Sequence, residues 1–112
     1  MKFTAPLFLA AALTATNVAA TDQVTCLTRH PNIYNAINQL CARNNIVVPS
    51  AYAANGVSSG GKWAGIAGSC NPKQWVPEYW CRKQMMSVCA AAGDGLQAAS
   101  FGKNGCQRFI VK

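Results

Sequence analysis

The residues with the most evident chemical potential lie in one short segment, 73–83, where cationic and aromatic side chains are interleaved. The candidate binding residues in it are Lys73, Trp75, Trp80, Arg82 and Lys83. Cations attract anionic groups such as phosphates, and ring faces pack on carbohydrate or lipid surfaces. In the structural alternative, the tryptophans belong to the core and the cations form its solvated rim. We assign the segment to a binding surface, and an upstream tryptophan, Trp63, to the core.

Catalytic residue types are scarce in this chain. The acids are Asp22, Glu78 and Asp94, and the single histidine is His30. A glycosidase needs a pair of carboxylates, and a ribonuclease needs an acid–base pair beside a cation. His30 and Glu78 beside Arg82 are one such combination, but each acid also has a local structural explanation, such as capping a helix. The sequence therefore favours binding without catalysis, and a small secreted hydrolase is the weaker alternative.

The chain has an even number of cysteines, and their gaps contain no CxxC pair. They are Cys26, Cys41, Cys70, Cys81, Cys89 and Cys106. With only one histidine available as a further ligand, this pattern does not predict zinc or any other metal. It predicts a framework of three disulfides in an oxidising compartment. The pairing stays open, and no cofactor is expected.

The first twenty residues have the features of a cleaved leader. Lys2 supplies a positive charge, residues 6–13 form a short apolar run, and small residues end at Ala20. A membrane anchor needs about 20 consecutive apolar residues, and polar residues at 14, 16 and 17 interrupt this run. We predict a signal peptide over 1–20 and a single cysteine-rich domain over 21–112, secreted and without stable membrane insertion.

The net charge of +7 at pH 7 raises the question of nucleic acid. The basic residues are spread along the chain, and no known reader motif is present. We therefore expect no nucleic-acid partner. The expected partner is a cell-surface or extracellular component of a host or competitor, and we expect the chain to be a monomer.

Hydrophobic periodicity predicts the elements that position these residues. Ile33, Ile37 and Leu40 belong to one apolar stripe of a helix that begins at Pro31. Cys81, Met85, Val88 and Cys89 form the stripe of a second helix, which begins near residues 77–78. Extended chain is predicted for 22–28, 46–48 and 62–69, a loop or weak hairpin arm for 51–61, and a hairpin that turns at 102–105. The predicted fold class is α+β, with two helices packed on a small antiparallel sheet and stabilised by disulfides.

The arrangement of cysteines resembles the killer-toxin-like family of small cysteine-rich fungal secreted proteins. The resemblance lies in Cys41 closing NIYNAINQLC, Cys81 and Cys89 in WCRKQMMSVC, and Cys106 in NGCQRFIVK. A more distant similarity is to the necrosis-inducing secreted effector domain of fungi. The first resemblance implies a fungal effector that binds a host plant component, or alternatively a killer-type antifungal toxin that acts on competitor membranes or channels. It supplies no catalytic motif, so no functional residue is transferred.

Overall fold

The computed structural model describes residues 18–112, with side chains from residue 21 onward. The predicted leader over 1–20 lies outside the described residues, apart from the backbone of 18–20. The helices are α1 (Val18–Arg29), α2 (Pro31–Leu40), α3 (Ala51–Asn55) and α4 (Glu78–Ala91), with a 3₁₀ turn at Lys103–Gly105. The strands are β1 (Ile46–Val48), β2 (Val57–Ser59), β3 (Lys62–Gly68), β4 (Gln74–Val76), β5 (Gln97–Phe101) and β6 (Gln107–Val111).

The strands form two antiparallel sheets. The larger has the order β2-β3-β6-β5, and the smaller pairs β1 with β4. The predicted hairpin is confirmed: β5 pairs with β6, and Asn104 and Gly105 both have positive φ in the turn. The predicted α+β class with antiparallel pairing is therefore confirmed.

The core lies between the helices and the larger sheet. α2 packs on β2 and β3, while α4 packs on β5 and β6. Both predicted apolar stripes are buried, and Phe109 of β6, the largest fully buried side chain among the described residues, belongs to the same core. The two helices that periodicity predicted are thus the helices that cover the sheet.

The prediction of extended chain over 22–28 is wrong, because these residues belong to α1. Threonine and valine favour strands only weakly, and tertiary contacts override that preference. Here α1 packs along α4 and α2, and Cys26 is cross-linked to Cys89. Cys26 is the one buried side chain between residues 21 and 29, so no apolar stripe marks this helix in the sequence.

A second helix was also missed, within the segment 51–61 that we assigned to a loop or hairpin arm. Residues 51–55 form α3, and β2 follows it. The Ser50 hydroxyl accepts a hydrogen bond from the backbone N–H of Ala53 at 3.2 Å, which caps the helix at its start.

Six cysteines form three disulfides, as predicted, and no free thiol occurs in the described chain. The pairs are Cys26–Cys89, Cys41–Cys81 and Cys70–Cys106. Two of them attach α4 to α1 and to the end of α2, and the third joins the segment after β3 to the start of β6. Such a framework fits an oxidising or extracellular environment. No helix within residues 18–112 is long and apolar enough to cross a bilayer.

Candidate functional site

The predicted binding segment 73–83 folds as β4, a proline, and the first turns of α4. Val76 is buried in the pairing of β4 with β1, and its neighbour Trp75 lies outward, as strand alternation requires. Trp75, Tyr79 and Trp80 are 56%, 62% and 45% exposed. We call these three rings, together with Lys83, the aromatic surface.

The side chains of the aromatic surface support one another. The Trp75 indole N–H donates to the backbone oxygen of Asn44 at 2.8 Å. Tyr79 and Trp80 meet edge-on, with ring centroids 5.1 Å apart and planes at 83°. The Lys83 ammonium lies 5.2 Å from the Trp80 ring and 5.7 Å from the Tyr79 ring, within cation–π range. These contacts restrict the orientations of the rings in the unbound protein.

A pocket of about 240 Å³ opens beside these rings. It is lined by Gln74, Trp75, Val76, Pro77, Trp80, Gln84, Gly102 and Gln107. Two of the predicted binding residues, Trp75 and Trp80, thus lie in the wall of one pocket. Three glutamines from β4, α4 and β6 supply its polar atoms.

A smaller groove of about 120 Å³ lies on the other side of the aromatic surface. Its lining residues are Gln23, Tyr79, Arg82 and Lys83. Because Gln23 belongs to α1 and the rest to α4, the groove runs between these two helices. It brings the two predicted cations together, whereas Lys73 is exposed just before β4 and lines neither cavity.

Arg82 differs from the other predicted binding residues because its guanidinium is partly buried and bonds to side chains of two helices. Its guanidinium donates to the Glu78 carboxylate one turn earlier, with Nη2 and Oε2 3.1 Å apart. It also donates to the Asn38 side chain of α2. Arg82 therefore links two helices, while Lys83 is exposed and contacts the Tyr79 and Trp80 rings.

This difference gives a prediction for stability. Arg82→Glu removes three hydrogen bonds, two to Glu78 and one to Asn38, and places two carboxylates four residues apart on a helix. We expect the free energy of unfolding to fall by about 1–2 kcal/mol, since the pair is partly exposed. Lys83→Glu should change it by less than about 0.5 kcal/mol. Urea denaturation of both variants measures the difference, and equal midpoints would contradict the assigned role of Arg82.

The combination of His30 and Glu78 as an acid–base pair is wrong on geometry. His30 Nε2 lies 2.9 Å from the backbone oxygen of Ala92, just beyond the end of α4. Glu78 begins the same helix. At 1.5 Å per residue, the two side chains are attached roughly 20 Å apart.

Trp63, assigned to the core, is half-buried near the start of β3, an inner strand of the larger sheet. Its indole N–H donates to the backbone oxygen of Asn55 at 2.9 Å, and the Lys112 ammonium lies 5.0 Å from its ring. It is therefore held by different elements from those that hold the aromatic surface.

The sequence interpretation missed the glutamines of the pocket. One of them had a usable signal: Gln84 follows Trp80 by four residues and so lies on the same face of a helix. Gln74 and Gln107 had no such signal, because they are 33 residues apart in the sequence and only the fold brings them together. Gln107 Nε2 lies 2.9 Å from Gln74 Oε1.

Within residues 18–112, no cluster of His, Cys, Asp or Glu could hold a metal ion. The comparisons with known proteins found no match, whether to a family model, to a curated sequence or to a solved structure.

Proposed function

We propose that this chain is an extracellular binding protein of the effector type, which acts on a host by contact through its aromatic surface and without catalysis. The observation that supports the proposal most is that three large rings and a lysine are exposed together on one disulfide-attached helix and its adjoining strand. Exposed aromatic clusters mark binding sites more often than isolated apolar residues do.

The rigidity of the surface supports the same proposal. Cys81 and Cys89 cross-link α4 to two other helices, so the rings project from an element that cannot shift freely. A pre-organised surface loses less conformational entropy when it binds. A small extracellular protein gains both affinity and resistance to unfolding from this design.

Lys83 adds an electrostatic contribution. Cell exteriors carry net negative charge, and a cation at the rim of a contact surface raises the association rate. We expect Lys83→Glu to reduce activity on cells several-fold. Arg108→Glu is the matched control, because it makes the same charge change at an exposed position of β6 whose side chain faces away from buried Gln107.

The experiment applies the oxidised chain to plant leaves and to fungal cells in parallel. A response confined to leaves supports the effector proposal and justifies isolation of a host partner. Inhibition of fungal growth would instead establish the killer-toxin alternative. No response in either assay would contradict the proposed function. The same loss of activity in Lys83→Glu and Arg108→Glu would contradict the proposed surface.

A further inference from the structure

The pocket beside the aromatic surface differs from that surface in its charge. None of its eight described lining residues carries a charge. Lys83, although 5.2 Å from the Trp80 ring, is not among them. An anionic group would find no ion pair in this pocket, so its occupant is expected to be neutral.

Gln107 provides a polar group that is available to such an occupant. The residue is only 6% exposed, and its Nε2 donates to Gln74 Oε1 at 2.9 Å. Its Oε1 accepts no hydrogen bond from any described residue. Since every fully buried side-chain nitrogen or oxygen in the described chain has a partner, this oxygen keeps some solvent exposure, and Gln107 is one of the residues that line the pocket. The oxygen is an acceptor held in a fixed direction by the bond that its own amide nitrogen makes.

Gly102 allows this arrangement to form. A Cβ atom at Gly102 would stand 2.6 Å from Gln107 Nε2 and 2.7 Å from Gln74 Oε1, and the residue has a φ of +79°. A side chain here would displace the bonded pair of glutamines from the pocket. The turn between β5 and β6 therefore keeps the pocket open as well as reversing the chain.

Two indole rings with neighbouring uncharged amides match the chemistry of a sugar. A pyranose ring presents C–H groups, which pack on aromatic rings, and hydroxyls, which both donate to and accept from amides. Gln84 offers a donor and an acceptor beside Trp80, and Gln107 offers the fixed acceptor. A lipid chain would leave these amides without partners, at a cost in binding.

We propose, on the basis of the function proposed above, that this pocket binds one residue of a neutral β-linked polysaccharide of glucose configuration. Equatorial hydroxyls leave both faces of that sugar ring flat, which suits contact with Trp75 and Trp80. The pocket is smaller than the roughly 300–1,000 Å³ of drug-sized ligand sites, in keeping with one sugar unit. The exposed Tyr79 ring continues the apolar surface beyond Trp80, where the next unit lies.

The experiment is co-sedimentation of the oxidised chain with three insoluble polysaccharides, namely cellulose, chitin and a β-1,3-glucan. Mannan immobilised on beads is the control, because its axial hydroxyl interrupts one ring face. We expect binding to at least one of the three and weaker binding to mannan. Gln84→Ala should weaken binding about fivefold, and Trp80→Ala at least about thirtyfold. Arg108→Glu and added salt should leave it unchanged.

Absence of binding to all three polysaccharides would overturn the inference, and so would binding that added salt abolishes and that Gln84→Ala does not weaken. The proposed function is tested separately by binding to whole cells. If the chain binds cells in a Trp80-dependent way and protease treatment of those cells abolishes the binding, the partner is a protein. In that case the sugar inference fails while the proposed function stands.

Discussion

Replacing Cys26 and Cys89 together by alanine should lower the free energy of unfolding by about 4 kcal/mol. The bond joins residues 63 apart in the sequence, and loop-closure entropy of that length accounts for this magnitude. Both sulfurs are fully buried, so the loss of packing adds to the effect. For a domain of this size we expect the melting temperature to fall by roughly 15 to 30 °C.

The same change should affect α1 more than any other helix. Cys26 is the one buried side chain between residues 21 and 29, so the cross-link contributes directly to the packing of α1 on α4 and α2. Hydrogen exchange should show the backbone amides of α1 losing protection first. The double variant Cys70→Ala and Cys106→Ala is the control, because it removes a bond of sequence separation 36 that does not involve α1. A melting temperature unchanged by the loss of Cys26 and Cys89 would contradict this account of stability.

Replacing Trp75 and Trp80 together by alanine should abolish most binding to cells or tissue. Exposed aromatic residues at the centre of an interface typically dominate its binding energy. With two such residues removed, we expect the dissociation constant to rise by at least about 100-fold. Stability should change little, by about 1 kcal/mol, because both side chains are about half exposed and solvent replaces the Asn44 hydrogen bond.

Two controls separate this effect from general damage. Leu96→Ala removes a side chain of similar exposure, 58%, outside the aromatic surface. Trp63→Ala removes a tryptophan held by Asn55 and should reduce stability without reducing binding. Binding isotherms on fixed cells measure all three variants. Equal losses of affinity in the Trp63 variant and the double variant would show that the aromatic surface is not the contact.

Local patterns predicted the parts of the fold that local interactions determine. The stripe of Ile33, Ile37 and Leu40 fixed the buried face of α2, because helical spacing brings these residues to one side. The Asn104–Gly105 pair marked the hairpin, since both residues adopt the positive φ that a tight turn needs. These signals depend only on residues that are close together in the chain.

The elements that the sequence did not predict depend on contacts between distant residues. Between residues 21 and 29, α1 has one buried side chain and no stripe, and it is cross-linked to a cysteine 63 residues away. Likewise, the hydrogen bond from Arg82 to Asn38 spans 44 residues, so the sequence alone presented Arg82 as a free surface cation. Periodicity carries no information about either contact.

The sequence predicted only part of the candidate site, because the rest of the site also depends on contacts between distant residues. Trp75 and Trp80 are five residues apart, and the aromatic and cationic composition of segment 73–83 indicated a binding surface. The pocket that they share also needs Gln107 and Gly102, which the hairpin of β5 and β6 brings to it from later in the chain. The sequence pattern therefore identified the two rings but not Gln107 and Gly102, which complete the pocket lining.

Oxidative footprinting of the unmodified chain is the measurement that tests the central claim most directly. Hydroxyl radicals label exposed aromatic side chains, and mass spectrometry then compares the free chain with the chain bound to cells or tissue. The account predicts strong protection of Trp75, Tyr79 and Trp80 on binding, with Trp63 labelled as in the free chain. Unchanged labelling of the three surface rings in the bound chain would contradict the claim that they form the contact.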